Sequence, residues 1–409
     1  MKKILLILPY GSVGGMERLA LTFYRHYKSQ GFDVFGLKII KLKSDIIDFG
    51  DDELFLSEID LSEMPAMKRA LFYLQAPLKI RKIVREKGIT HSIAFGDMAN
   101  VFSSLTFTNE FKIASIHALK SVEFSSNNPL NQIFRLAYRT SYRNFSKVVC
   151  ISEAIRKDLI ANCGFAFPNK LQVIYNPHDI PAIQRMSQEQ IPTDEAAWFE
   201  GKSIVFLGRL SMQKAPWHLV NAFKILTGKI KDTQLIFIGD GDPEIDAYIR
   251  QQVRQLDLEP LVIFAGRRTN PYKYLVKADV LALSSYYEGT PNVIVEAIAL
   301  GVPTVSSNST DGIAEIMSLA KPDVSGSLLL IESGIITPGF FDGSLTIPIE
   351  DKKISEEAAF ATALEMVLQD SRFRASLEHS KLQLLERFDL QKVAESYLDK
   401  NRSTSHLKQ

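Results

Sequence analysis

At 409 residues the chain exceeds what one hydrophobic core usually organises, so two domains of ordinary size are expected. Its net charge of +1 hides a split: residues 1–176 hold 24 Lys and Arg against 16 Asp and Glu, and the remainder 24 against 31, so the halves carry +8 and −7. Cys150 and Cys163 belong to no Cys-x-x-Cys or Cys/His cluster, which argues against a disulfide framework or a zinc site, and no apolar run nears the ~18–20 residues that span a bilayer.

In chain order, Met1-Lys2-Lys3 leads straight into an apolar strand rather than a cleavable signal, so a cytoplasmic protein is expected. Strands are predicted at Ile4–Leu8, Val34–Ile40, Ser92–Phe95, Ile113–Ile116, Val148–Ile151 and Val173–Tyr175, with helices between most of them. Continuous rather than alternating hydrophobicity marks strands covered on both faces, hence a parallel sheet and a Rossmann-like first domain. A polar stretch from His178 to Lys202, with Pro181, Pro192 and Gly201, reads as the connection. A second series follows at Ile204–Leu207, Leu235–Ile238, Val262–Ala265, Val280–Leu283 and Thr304–Ser306, then an irregular segment, Lys321–Asp351, and a long helical stretch from about Ser355 to Asn401. The expected architecture is α/β, with two Rossmann-like domains facing across a cleft.

Ligands of open parallel sheets collect at the carboxyl ends of the strands, and polar motifs stand there. Gly11-Ser-Val-Gly14-Gly15-Met-Glu17 follows the first strand and opens a helix; its spacing is not Gly-x-Gly-x-x-Gly and no acidic residue ends the next strand, so NAD is not expected. His117 ends the strand Lys112–Ile116, and Asn176 follows Val173–Tyr175 as a candidate site amide. Gly208-Arg209 closes another strand and Lys214 follows five residues on, two cations suited to a diphosphate that should act on rate more than on affinity. Glu288 ends a strand and Glu296 rides the helix opened by Gly289-Thr290-Pro291-Asn292, where backbone N–H groups favour a phosphate. Asp240-Gly-Asp242 spells a possible metal motif, but its turn composition and the nearby cations argue against a metal.

Together these residues resemble the retaining GT-B glycosyltransferases of family 4 over nearly the whole chain. The resemblance implies an N-terminal acceptor-binding domain, residues 1–180, with a final helix, 390–401, packed back on it, and a donor-binding domain, 200–389. It implies that Gly14, Gly15 and Glu17 form a loop against donor phosphate and acceptor, that His117 contacts the donor sugar, and that Glu288 with Gly289, Thr290, Pro291 and Asn292 holds sugar hydroxyls. Glu296 is then the ribose partner and Arg267 lies near the base. Neither glutamate is assigned as a nucleophile.

Pro65–Gly88 mixes basic and apolar residues as an interfacial helix does, and Arg135, Arg139 and Arg143 recur every four residues. This stripe could hold an anionic membrane surface or a lipid diphosphate, a solvated helix face being the alternative; no nucleic-acid module appears. The expected activity is transfer of a hexose or N-acetylhexosamine from a UDP-sugar, preferred over GDP by the resemblance alone, to a lipid-linked glycan at the inner membrane face, with no cofactor and no metal. A nucleotide-sugar epimerase of related fold and a non-catalytic nucleotide-sugar-binding partner are the alternatives.

Overall fold

The structure, a computed structural model, describes residues 2–11, 15–43, 45–124, 129–288, 290–320, 328–347 and 354–400. Gly14 and Gly289 lie outside the described residues. The chain divides into two compact units: one runs to Pro177 and resumes at Leu390, and the other is the unbroken segment His178–Asp389.

Unit 1 contains β1 (Lys3–Leu8), α1 (Gly15–Ser29), β2 (Asp33–Ile40), β3 (Glu53–Ser57), α2 (Ala66–Glu86), β4 (His91–Phe95) and α3 (Asp97–Ser104). It continues through β5 (Phe111–Ile116), α4 (Lys120–Glu123), α5 (Pro129–Arg139), β6 (Lys147–Cys150), α6 (Glu153–Ala161) and β7 (Leu171–Val173). The strands form one parallel sheet in the order β3-β2-β1-β4-β5-β6-β7. The pleat sends alternate residues to opposite faces. Leu5, Ile7, Ala94, Ala114, Ile116 and Val148 pack beneath α2, α3 and α5, while Ile4, Leu6, Leu8, Ile93, Phe95 and Val149 pack beneath α1 and the chain's last described helix.

Unit 2 opens with α7 (Ile180–Ser187) and α8 (Thr193–Ala196), then β8 (Lys202–Leu207), α9 (Pro216–Thr227), β9 (Thr233–Ile238), α10 (Pro243–Gln255), β10 (Val262–Gly266), α11 (Tyr272–Leu275) and β11 (Val280–Leu283). Next come α12 (Asn292–Ala299), β12 (Thr304–Ser307), α13 (Asp311–Met317), β13 (Leu329–Ile331), β14 (Gly334–Thr337), α14 (Ser355–Gln369) and α15 (Arg372–Leu385), before α16 (Leu390–Leu398) returns to unit 1. The sheet order is β10-β9-β8-β11-β12-β14-β13, parallel except for β13, which pairs antiparallel with β14. In both sheets the direction of winding reverses beside the first strand, between β1 and β4 and between β8 and β11. The loops that follow those strands therefore splay apart and leave a crevice for a ligand.

Several elements differ from the sequence expectation. The half-exposed edge strand β3 follows the acidic run Asp48–Asp52 and was not expected. A short hairpin, β13–β14, occupies part of the stretch expected to be irregular. Strand β7 ends at Val173, so Asn176 stands three residues beyond it. The long terminal helix is broken into α14, α15 and α16. Arg143 is not on the helix of Arg135 and Arg139: α5 ends at Arg139, and Arg143 lies in a separate 3₁₀ turn, Ser141–Asn144. The cause is the burial of Tyr142 and Phe145 beneath the sheet, which turns the chain inward at Thr140.

Candidate active site

In unit 2 the chemistry gathers on either side of the β8/β11 reversal. After β8 the backbone runs Gly208-Arg209-Leu210 alongside the turn after β9, with Leu210 N–H donating to the Asp240 carbonyl at 2.9 Å and Asp242 N–H to the Leu210 carbonyl at 2.9 Å. The approach is so close that a Cβ on Gly241 would sit 2.0 Å from the Leu210 carbonyl oxygen. Asp242 accepts from the Glu244 N–H at 2.9 Å and caps α10, so its carboxylate serves a helix terminus. Arg209 is exposed on this loop.

A 3₁₀ turn, Met212–Lys214, then carries Lys214 toward the loop after β11. The Lys214 ammonium lies 2.6 Å from Glu288 Oε1, with side chains only 16% and 6% exposed. Ser285 Oγ donates to the same oxygen at 2.6 Å, and Gln213 Nε2 reaches Glu288 Oε2 at 3.4 Å. The two loops are tied further: Tyr286 N–H donates to the Gln213 carbonyl at 2.8 Å, and Ser284 Oγ to the carbonyls of Lys214 and Ala215 at 3.1 and 3.2 Å. Ser307 Oγ, at the end of β12, fixes the Ser285 carbonyl at 2.7 Å. Gln213, Ser284 and Ser285 were not anticipated from sequence; the serine pair directly after the apolar strand β11 was the available signal.

Beyond Glu288, Thr290 has a buried Oγ1 with no hydrogen-bond partner among the described residues, Pro291 is buried, and Asn292 is exposed at the start of α12, which has no side-chain cap. The first N–H groups of that helix are thus available to an anion. Glu296, on the same helix, accepts from Tyr272 OH at 3.3 Å. Arg267 is exposed after β10, whereas its neighbour Arg268 is drawn back onto Glu195 and the rings of Trp198 and Tyr274.

In unit 1 His117 follows β5, with Nε2 buried and unpartnered among the described residues. Burial, reinforced by the charge of Lys120, pushes its pKa down to about 3, so the ring is neutral in ordinary buffers. Lys120 is buried and paired with Asp97 at 2.8 Å and with Glu123; burial opposes its charge, but these two carboxylates raise its pKa overall. Tyr138 OH donates to the other oxygen of Asp97 at 3.0 Å. Lys120 and Asp97 are additions to the sequence-predicted set, brought together by the ends of β4 and β5. Asn176 likewise has a buried, unpartnered Oδ1.

Glu17 is buried in the first turn of α1, where desolvation raises its pKa against a backbone hydrogen bond that lowers it. Gly15 begins that helix, with open space around the position a Cβ would take. The loop before it is held at Gly11, whose N–H donates to Asp45 at 3.1 Å, while the buried Lys38 neutralises Asp45 and Glu53 at 3.2 and 2.9 Å. The three arginines are dispersed: Arg135 donates to the Phe124 carbonyl at 3.0 Å, and Arg139 and Arg143 lie exposed at the opposite, amino-terminal edge of the sheet from His117.

Residues 13–180 match the model of Glycosyltransferase Family 4, and residues 201–337 match that of Glycosyl transferases group 1. The chain is 27% identical over 339 residues to an uncharacterized glycosyltransferase of Methanocaldococcus jannaschii, covering 79% of this chain and 82% of that protein. It is 24% identical over 394 residues to the N-acetylgalactosamine-N,N'-diacetylbacillosaminyl-diphospho-undecaprenol 4-alpha-N-acetylgalactosaminyltransferase of Campylobacter jejuni, covering 94% and 95%. Among solved structures, Anabaena HepE in complex with UDP superposes with a TM-score of 0.71 at 18% identity, covering 97% of this chain and 98% of HepE. The fold is that of the GT-B glycosyltransferases, and the domain matches and relatives support a glycosyltransferase.

Proposed function

We propose that this chain is a retaining, metal-independent glycosyltransferase that moves a hexose or N-acetylhexosamine from a UDP-sugar to a lipid-linked glycan at the inner membrane face. The observation that carries the reading is the buried Lys214–Glu288 pair, fixed by Ser285 at the sheet reversal of unit 2. A cation and an acceptor of hydroxyl hydrogen bonds stand side by side there, as a sugar diphosphate requires. Support for the acceptor class comes from the C. jejuni relative, whose name specifies a diphospho-undecaprenol substrate, and support for UDP from the ligand of HepE.

In this reading Arg209 and Lys214 neutralise the departing diphosphate, an interaction that strengthens as the glycosidic bond breaks and is worth several kcal/mol in a water-poor site. Glu288, with Gly289, Thr290, Pro291 and Asn292, orients the sugar hydroxyls, and the free N–H groups of α12 add positive potential. Glu296 takes the ribose, Arg267 lies near the base, and neutral His117 contacts the sugar. Gly14, Gly15 and Glu17 border the donor phosphate and acceptor, and Asn176 supplies an amide. The leaving diphosphate helps to deprotonate the incoming hydroxyl on the same face, which gives retention.

The test is incubation of the protein with a panel of nucleotide sugars and a membrane lipid extract, with the glycolipid identified by mass spectrometry and its anomer by NMR. Transfer from a UDP-sugar with a retained anomer is expected. An inverted product would sink the mechanism, and turnover of the sugar nucleotide without an acceptor would sink the transferase reading.

A further inference from the structure

Helices α2, α3 and α5 cover the same face of the unit 1 sheet and touch in sequence, α2 on α3 and α3 on α5. The exposed part of this layer, on α2 and in the loop after α3, is not an ordinary solvated surface. On α2, Met67, Leu71, Leu74 and Leu78 are 85%, 52%, 74% and 61% exposed. At about 100° per residue they fall within an arc of roughly 60°, opposite the row Phe72, Ala76 and Ile80 that enters the core. This helix is therefore apolar on two sides, one of them turned outward, with Lys68 and Lys82 exposed along its flank.

After α3 the chain presents Leu105 and Phe107, the latter 60% exposed and held at a φ of 49°. These two, with Phe167, Asn144, Arg139 and Arg143, line a concavity of about 490 Å³. Asn144 is spent on the Ser104 carbonyl at 2.9 Å. The guanidinium groups of Arg139 and Arg143 have no hydrogen-bond or ion-pair partner among the described residues. Leu105 and Phe107 precede β5, Asn144 precedes β6 and Phe167 precedes β7, so the concavity sits at the amino ends of these strands. His117 stands at the other end of β5, roughly 20 Å away for a six-residue strand. The pocket is thus separate from His117 and the other strand-end candidates of unit 1.

We infer that this concavity binds the phosphate of an anionic phospholipid and that the α2–α3–α5 face of unit 1 lies on the leaflet carrying it. Two guanidinium groups match phosphate oxygens in geometry and charge, and an apolar rim beside them matches the acyl region below a headgroup. A soluble anion would use the cations and leave the outward row of α2 and the exposed Phe107 in water; a lipid uses both. The inference rests on the proposed membrane-borne acceptor and adds which face meets the membrane and what anchors it.

The experiment is co-sedimentation of the full chain with vesicles of phosphatidylcholine, with and without phosphatidylglycerol, in the absence of donor and acceptor. Binding is expected only with phosphatidylglycerol and should weaken as salt rises. The double variant R139Q/R143Q should lose about thirtyfold in affinity, from about 1 kcal/mol for each cation at about 1.4 kcal/mol per tenfold. L71S/L74S should also weaken binding, although its charge is unchanged. Melting curves of each variant show that it folds. Equal binding to both vesicle types, or wild-type affinity in folded R139Q/R143Q, overturns the inference. So does arginine-dependent stabilisation by inorganic phosphate without any vesicle binding. Because no sugar is transferred in this assay, its failure leaves the transferase reading standing, and failure of transfer leaves the vesicle result intact.

Discussion

Lys214 and Glu288, 74 residues apart in sequence, are joined at 2.6 Å with both side chains largely buried. The pairing makes the two mutations unequal. Lys214→Ala leaves Glu288 buried with no counter-ion, whereas Glu288→Ala leaves a more accessible lysine. Both variants should lose about 10²–10³ in kcat, the cost of deleting one preorganised electrostatic group. Only Lys214→Ala should also lose stability on the scale of about 3–5 kcal/mol, as when one partner of a buried pair is removed. Steady-state kinetics together with urea denaturation separate the two effects; near-wild-type turnover in a folded variant would remove the donor-site assignment.

Tyr272→Phe deletes the hydroxyl that donates to Glu296. If Glu296 holds the ribose, its carboxylate becomes less well oriented, and KM for the UDP-sugar should rise about three- to tenfold, the worth of one hydrogen bond. The value of kcat should stay near wild type because the ribose is remote from the bond that breaks. A fall in kcat with KM constant would contradict this placement.

Three histidines have pKa values below their ordinary 6.5: His117 at about 3 through burial and then Lys120, His178 at about 4 through burial, and His91 at about 4 through burial and then Lys2 and Lys400. Between these values and 6.5 the unfolded chain binds more protons than the folded one, so stability falls as pH drops through that window and is fully present above it. Melting temperature measured from pH 7.5 downward should decline below 6.5, and His178→Gln should flatten the decline. His117 stays neutral throughout, so kcat should show no acid limb near 6.5 arising from it.

Asp242→Ala should cost about 1 kcal/mol through loss of the α10 cap while kcat changes little. Chelators should leave turnover intact. Abolition of activity by EDTA and its rescue by a divalent ion would restore the metal role to Asp240 and Asp242.

The sequence exposed the strands that are buried on both faces, because continuous apolar runs such as Ile4–Leu8 have no other stable placement, and strand-end motifs such as Gly208-Arg209 follow from them. It concealed β3, whose half-exposed residues lack that signature, and β13–β14, too short to stand out beside a Gly- and Ser-rich stretch. The regular spacing of Arg135, Arg139 and Arg143 suggested one helix, but the pattern is blind to the burial of Tyr142, which ends α5 first. The pairing of Lys214 with Glu288, and of Lys120 with Asp97, was illegible for a different reason: each joins loops from different strands, so it exists only once the sheet has formed.

The return of α16 to unit 1 bears on how the protein is made. Tyr397 donates to or accepts from Ser115 at 2.9 Å, Tyr27 donates to the Ala394 carbonyl at 2.9 Å, and Lys147 reaches the carbonyls of Ser396 and Asp399 at 2.7 Å. A ribosome delivers residues 1–177 first, yet Phe23 and Phe95 still await their covering helix while the whole of unit 2 emerges. Unit 2, uninterrupted in sequence, can complete its core earlier, so the first segment synthesised is the last to be closed. A nascent chain stalled at Asp389 would carry one finished body and one with an open apolar face, a natural substrate for chaperones.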